Sequence, residues 1–203
     1  MIPKIIHYCW FGRGQLDAKA LKCIESWKKY FPDYEIIQWN EDNFDISSCD
    51  FMFKAYADKK WAFVSDVARL MIIYEHGGIY FDTDVEVIRP YDDIVTSDAD
   101  GFIGLESTMQ VASGLGFGAK KQTPFLKELL SVYNSLSYDD YKNDLSSIAC
   151  TIITTSLMKE KGFSGTNQLQ RVAGFDIYPI DYFSPIEYHT GKLRKTSNTH
   201  SIH

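Results

Sequence analysis

WAFVSDVARLMIIYEHGGIYFDTDVEV, Trp61 to Val87, changes its hydrophobic period once, and that change decides the fold class. From about Trp61 to Glu75 the spacing predicts a helix, with Val64, Val67, Ala68, Met71 and Ile72 forming the buried stripe. His76-Gly77-Gly78 supplies a C-terminal stop. IYFDTDVEV then reads as a strand entered directly from that helix. In an extended chain residues i and i+2 point the same way, so Asp82, Asp84 and Glu86 are expected on one face. Neighbouring carboxylates repel, and a hard divalent cation with oxygen ligands is the usual remedy. A solvated turn is the bland alternative, since a lone DxD is common by chance. The three apolar or aromatic residues before Asp82 favour the first reading, because they place the pair where a buried strand ends and open α/β sheets bind ligands. Asp66 and Arg69 lie one helical turn apart. On a surface such a pair contributes under about 1 kcal/mol. With Val64, Val67 and Ala68 around it, it is expected to turn into a cleft instead.

Working outward, KIIHYCWF (Lys4–Phe11) predicts a buried first strand ending in a loop with Gly12 and Gly14. Asp17 is expected to cap a helix running to about Tyr30, with Ala20, Leu21, Ile24 and Trp27 on its inner face and Pro32 closing it. YEIIQW (Tyr34–Trp39) predicts a second strand, and strand-helix-strand units make parallel sheets. Beyond Val87, GFIGLE and GLGFGA read as short strands, and TPFLKELLSVYNSL as a helix with Pro124 in its first turn. Tyr138 to Gly165 is expected to be helical, and FDIYPIDYF to be a late strand ending at Pro185. No repeat or linker interrupts the alternation, so the class is α/β in one domain.

The net charge of −6 argues against a nucleic-acid partner, which requires a basic footprint. Aromatic residues at 15% suit a cleft for flat or polyhydroxylated ligands as readily as a core. Cys9, Cys23, Cys49 and Cys150 form no CxxC pair, so neither a zinc site nor a disulfide framework is expected, and a reducing compartment is. The N-terminus lacks the features of a signal peptide, and no run reaches the ~18 apolar residues of a membrane helix. His7, within an apolar strand, reads as a satisfied core histidine. Gly114–Gly118 lacks the spacing of a phosphate loop and reads as a strand or acceptor-side loop. Lys192–Lys195 reads as a solvated basic run, and Tyr138–Asp144 as an exposed acidic loop.

Taken in order, IPKIIHYCWFG (Ile2–Gly12), Ser26-Trp27, FPDYEIIQWNEDN (Phe31–Asn43) and Trp61–Val87 resemble the DxD-containing sugar transferases of glycosyltransferase family 32. That family holds yeast-type mannosyltransferases and bacterial capsule and lipopolysaccharide enzymes, and is related to the glucosylating domains of large clostridial toxins. The resemblance covers roughly the first 90 residues and implies a GT-A fold with a mostly parallel central sheet flanked by helices. It also implies a nucleotide-sugar donor, UDP favoured over GDP, a divalent Mn2+ or Mg2+ ion, and transfer with retention of configuration to a glycan or lipid-linked glycan. Carried onto these residues, Trp10 would stack on the base and Asn43 would lie near the ribose. Ser65, Asp66 and Arg69 would hold the donor, with Asp66 and Arg69 on the transferred sugar, and Tyr80 would flank the diphosphate. Asp82 would contact ribose and sugar hydroxyls, and Asp84 would bind the metal, with Asp82 beside it. Asp66, Arg69, Asp82 and Asp84 are therefore the catalytic candidates.

The same resemblance divides the domain into a nucleotide-sugar part, 1–90, and an acceptor side with a closing C-terminal segment, 91–203. That segment departs from the family pattern by stopping at NTHSIH, so the chain is expected to be truncated. His203 is the candidate for a further metal ligand, with His200 second. The implied setting is cytoplasmic, with peripheral association at the inner face of the membrane as its membrane form. Two other readings stay open. One is a haloacid-dehalogenase-type phosphatase with Asp82 as nucleophile and Asp84 as general acid, although 81 residues precede its motif and no partner lysine and acidic pair follow. The other is an inactive sugar-nucleotide-binding relative.

Overall fold

Short apolar runs alternate with amphipathic helices through the first 87 residues, and a computed structural model, describing residues 1–187 and 189–203, shows what they build. In chain order the elements are β1 (Ile5–Cys9), α1 (Ala18–Tyr30), β2 (Glu35–Trp39), α2 (Asp50–Ala57), α3 (Trp61–His76), β3 (Gly78–Tyr80) and β4 (Glu86–Val87). Then follow α4 (Asp92–Val95), β5 (Gly101–Leu105), β6 (Val111–Ala112), β7 (Phe117–Ala119), α5 (Pro124–Ser135), α6 (Tyr138–Tyr141) and α7 (Cys150–Glu160). β8 (Gln170–Val172), β9 (Phe175–Tyr178), α8 (Ile180–Phe183) and β10 (Ser201–Ile202) complete the chain.

Eight strands form one sheet in the order β2-β1-β3-β7-β5-β9-β8, with β6 beside β5. β1 runs parallel to β2 and β3, and β5 parallel to β9. β7 is antiparallel to both β3 and β5, so β1, β2, β3, β5 and β9 all point their C-terminal ends at the same edge. The loops leaving that edge carry Trp10 and Asp82, and ligands of open α/β sheets bind there.

Side chains alternate along β1 as the pleat requires: Ile6 and Tyr8 pack toward α1, and Cys9 toward α3. α1 therefore covers one face, and α2, α3, α5 and α7 cover the other. Asp17 caps α1 as expected, its carboxylate accepting from the Ala20 N–H at 2.7 Å. Leu21 does not join the buried stripe. It is 51% exposed, and Cys23 occupies the inner face with Ala20, Ile24 and Trp27. α3 buries Val64, Val67, Ala68 and Ile72 as the period requires, with Met71 half-buried at the edge.

FDIYPIDYF is not a single strand. Pro179 offers no N–H to a ladder, so β9 stops at Tyr178 and Ile180–Phe183 turns helical. Tyr138–Tyr141 is a short helix rather than an exposed loop, because Tyr138 is buried and its hydroxyl donates to Asp58. All four cysteines are free and buried. Among the described residues no helix is long and apolar enough to cross a membrane.

His7 fulfils the core reading and gives a pH prediction. Its Nδ1 accepts from the Trp39 indole at 3.0 Å, so its Nε2 carries the proton donated to the Gly77 carbonyl at 2.9 Å. A second proton has no acceptor, and burial lowers the pKa from 6.5 to about 4. Above pH 6.5 the ring is neutral both folded and unfolded and contributes no pH dependence. Between pH 6.5 and about 4 only the unfolded chain takes the proton, so stability falls by about 3 kcal/mol across that window. Urea unfolding at pH 7 and pH 4.5 should show this loss, and His7→Gln should show a smaller one.

Candidate functional site

The acidic pair is presented by a turn and not by an extended strand. β3 ends at Tyr80, and the Val85 N–H closes back on the Asp82 carbonyl at 3.1 Å. The expectation of one face shared by Asp82, Asp84 and Glu86 is therefore corrected: Glu86 leaves for Lys22, 2.8 Å away. Two residues of α1 hold this turn. Trp27, fully buried and stacked on Phe81, donates its indole N–H to the Val85 carbonyl at 2.8 Å. The Ser26 hydroxyl accepts from the Val87 N–H at 2.9 Å. The Ser26-Trp27 pair noted in the sequence is thus the brace of the acidic turn.

Asp82 is fixed from within. Its Oδ1 accepts from the Tyr80 hydroxyl at 3.1 Å and pairs with Arg69 Nη2 at 3.1 Å. The same Nη2 lies 3.1 Å from Asp66 Oδ1, while Nε donates to the Ser65 carbonyl. Arg69 is 4% exposed and its guanidinium lies 5.0 Å from the centre of the Tyr80 ring. Asp66, also buried, receives the N–H and thiol of Cys150 at the start of α7; burial raises its pKa, and Arg69 offsets part of that rise. The surface-pair reading of Asp66 and Arg69 therefore fails. Asp66 stands behind Arg69, and Tyr80 is buried behind Asp82, where it orients the carboxylate.

Asp84 is met from outside, by His203 Nε2 at 3.3 Å on Oδ1 and Lys19 Nζ at 3.3 Å on Oδ2. The bond from His203, with these charges, holds the Asp84 carboxyl well below the usual carboxylate range. Burial opposes charge on His203, and Asp84 more than offsets it, leaving that imidazole above its ordinary pKa. Ligand atoms of Asp82, Asp84 and His203 all lie within 4.8 Å of one another, a mixed oxygen and nitrogen set that fits a divalent cation.

His203 arrives there because β10 pairs antiparallel with β4, Ser201 opposite Val87 and Ile202 opposite Glu86. His200 is the anchor of that pairing and not a second ligand. It is fully buried, stacked on Tyr182 with ring centres 5.6 Å apart, and bonded to the Asn198 carbonyl and Asp93.

The turn opens onto a cleft of about 560 Å³ whose walls include Trp10, Trp61, Lys19, Ser65 and Arg69. Trp10 is half-buried and held along the loop by its indole bond to the Gly14 carbonyl. Gly12, at φ +95°, lets the loop pass over Trp61, whose ring would lie 3.0 Å from any Cβ added there. Asn43 is not brought into the cleft. Its amide is spent within its own loop, on the Gln38 carbonyl and the Asn40 N–H.

Sequence reasoning missed Trp61, Lys19, Ser113 and Gly114. Gly114 is the most demanding of these: a Cβ there would sit 2.2 Å from Asp82 Oδ2 and 3.2 Å from Arg69 Nη1. Gly114→Ala is expected to push Asp82 out of place and to lower stability by about 1–3 kcal/mol. Thermal unfolding of the variant beside wild type checks that figure.

Residues 17–100 match the family model for the glycosyltransferase sugar-binding region containing DXD motif. Over that part the chain is similar to the DXD-containing glycosyltransferases. It is 28% identical over 133 residues to inositol phosphoceramide mannosyltransferase 3 of Schizosaccharomyces pombe, covering 64% of this chain and 36% of that protein. It is 36% identical over 77 residues to the human alpha-1,4-N-acetylglucosaminyltransferase, covering 37% and 21% respectively. The chain therefore spans about a third or less of these relatives' own length. Its fold is similar to that of the PaToxG glycosyltransferase, with a TM-score of 0.64 at 16% identity over 79% of this chain and 69% of the other. The architecture is that of the GT-A glycosyltransferases.

Proposed function

We propose that this protein moves a hexose from a nucleoside-diphosphate sugar to a glycan or lipid-linked glycan, with retention of configuration and with a divalent cation at Asp84. The observation that carries this is the convergence of Asp82, Asp84 and His203 within 4.8 Å at the mouth of a cleft walled by Trp10. Asp84 and His203 would hold the ion, with Asp82 beside it. Bound there, Mn2+ or Mg2+ supplies positive charge for a departing diphosphate.

The chain's own residues do the rest. Trp10 offers a ring face for the base. Arg69 holds Asp82 aimed at the cleft, where the carboxylate would accept from ribose or sugar hydroxyls. Asp66 and Tyr80 position Arg69 and Asp82, and Ser65 adds a hydroxyl to the wall. Retaining transfer demands alignment of the acceptor hydroxyl more than a strong base, and a rigid site of this kind supplies that alignment.

UDP is the favoured carrier in this proposal, with 1–90 holding the donor and 91–203 facing the acceptor. The fission-yeast relative's name specifies a lipid acceptor, inositol phosphoceramide, which agrees with a lipid-linked glycan here. Capsule or lipopolysaccharide synthesis on the cytoplasmic side of a membrane is the setting the sequence resemblance favours. The phosphatase reading fits the geometry less well: Asp82 Oδ1 accepts from Tyr80 and pairs with the buried Arg69, which ties the carboxylate into the framework rather than leaving it a nucleophile. Incubation with a panel of UDP- and GDP-sugars should release nucleotide from a UDP-sugar in manganese and not in EDTA. Trapping of a phosphoryl-aspartate would revive the phosphatase, and binding without turnover would leave only a sugar-nucleotide-binding relative.

A further inference from the structure

The two carboxylates of the turn are neutralised in different ways. Asp82 has a cation that cannot leave: Arg69 is buried and tied to Asp66, Ser65 and Ser113 as well. Asp84 has one that can. Lys19, at the second position of α1, reaches Asp84 Oδ2 at 3.3 Å with a side chain 67% exposed, and it lines the donor cleft. A divalent ion at Asp84 would share that carboxylate with the lysine ammonium, and like charges at about 4 Å repel even in bulk water. A flexible stem carrying a compact point charge is free to turn to another anion, and phosphate is one that lysine binds well.

We propose that Lys19 is a movable counter-ion: it occupies Asp84 in the metal-free protein and swings to the donor's diphosphate when the cation takes its place. The inference rests on the metal reading of Asp84 given above. Its consequence is thermodynamic coupling. Metal alone must displace Lys19 with no new partner for it, so it binds weakly. Nucleotide and metal together give the ammonium a destination, so each strengthens the other by the same factor. Lys22 provides an internal comparison, since it has the same charge one turn along α1, pairs with Glu86 at 2.8 Å and does not line the cleft.

Calorimetric titrations on the whole chain separate the two arms, manganese with no nucleotide and UDP at saturating manganese. Lys19→Met is expected to bind manganese alone about tenfold more tightly than wild type, and UDP at saturating manganese about tenfold more weakly. Lys19→Arg keeps the charge and should hold UDP affinity within about threefold. Lys22→Met should match wild type in both arms. A Lys19→Met protein indistinguishable from wild type in either arm overturns the proposal while leaving the metal site standing, and so does a Lys22→Met protein that reproduces the Lys19→Met changes. If wild type binds manganese neither alone nor with UDP, the metal reading falls and the Lys19 proposal with it.

Discussion

Replacing Asp84 with alanine is expected to lower sugar transfer by at least about a thousandfold while leaving the fold intact. The two halves of that expectation have separate causes. Asp84 is the carboxylate of the turn that faces outward, and its partners Lys19 and His203 are both at the surface. Exposed pairs of this kind are screened by water, so their loss costs under about 1 kcal/mol. Transfer, by contrast, loses the residue proposed to hold the cation against the departing diphosphate. Assay of sugar release alongside thermal unfolding checks both. Asp84→Ala with transfer near the wild-type rate would remove the metal from the account, and a large drop in melting temperature would show that Asp84 is part of the framework.

Arg69→Met should behave in the opposite way, with both stability and transfer falling. Arg69 is the cation shared by Asp66 and Asp82 inside the protein, and its removal leaves two carboxylates without their partner, one of them buried. Breaking a buried pair in this manner costs about 3–5 kcal/mol. For a domain of this size that corresponds to roughly 10 °C in melting temperature. Transfer should fall at least about a hundredfold, because Asp82 loses the contact that aims it. Adding Asp66→Asn to Arg69→Met should recover part of the stability, since one of the uncompensated charges is gone, but none of the transfer. Recovery of transfer in the double variant would mean that Arg69 acts only through the framework. Equal stability of Arg69→Met and wild type would contradict the buried network.

What the sequence made legible was whatever depends on local period and nearby residues. α3 and its glycine stop, the cap at Asp17 and the parallel start β1-α1-β2 follow from spacing that a single chain displays. The acidic pair was legible as a pair, but its backbone was not: a turn closed by Val85 and braced by Trp27 looks in sequence like the continuation of a strand. Leu21 fits a helical stripe as well as Cys23 does, and only the packing of α1 on the sheet selects between them.

The partners that complete the site come from far along the chain, where no period connects them. Gly114 touches Asp82 because β7 returns antiparallel beside β3, and Cys150 reaches Asp66 because α7 begins behind α3. Tyr80 and Asn43 show a further limit. The resemblance assigns both to donor binding, yet one is buried as a positioning group and the other is absorbed by its own loop. His203 was a ligand candidate through the family resemblance, whereas its delivery to Asp84 depends on the buried anchor at His200, which the same resemblance had marked as a second candidate.

Anomalous diffraction from crystals grown with manganese and UDP tests the central claim most directly. The account predicts a manganese peak about 2.1 Å from an Asp84 oxygen, within reach of His203 and bonded to the diphosphate, with the uracil against Trp10. UDP bound with no manganese at Asp84, or a diphosphate seated away from the Asp82–Asp84 turn, would contradict it.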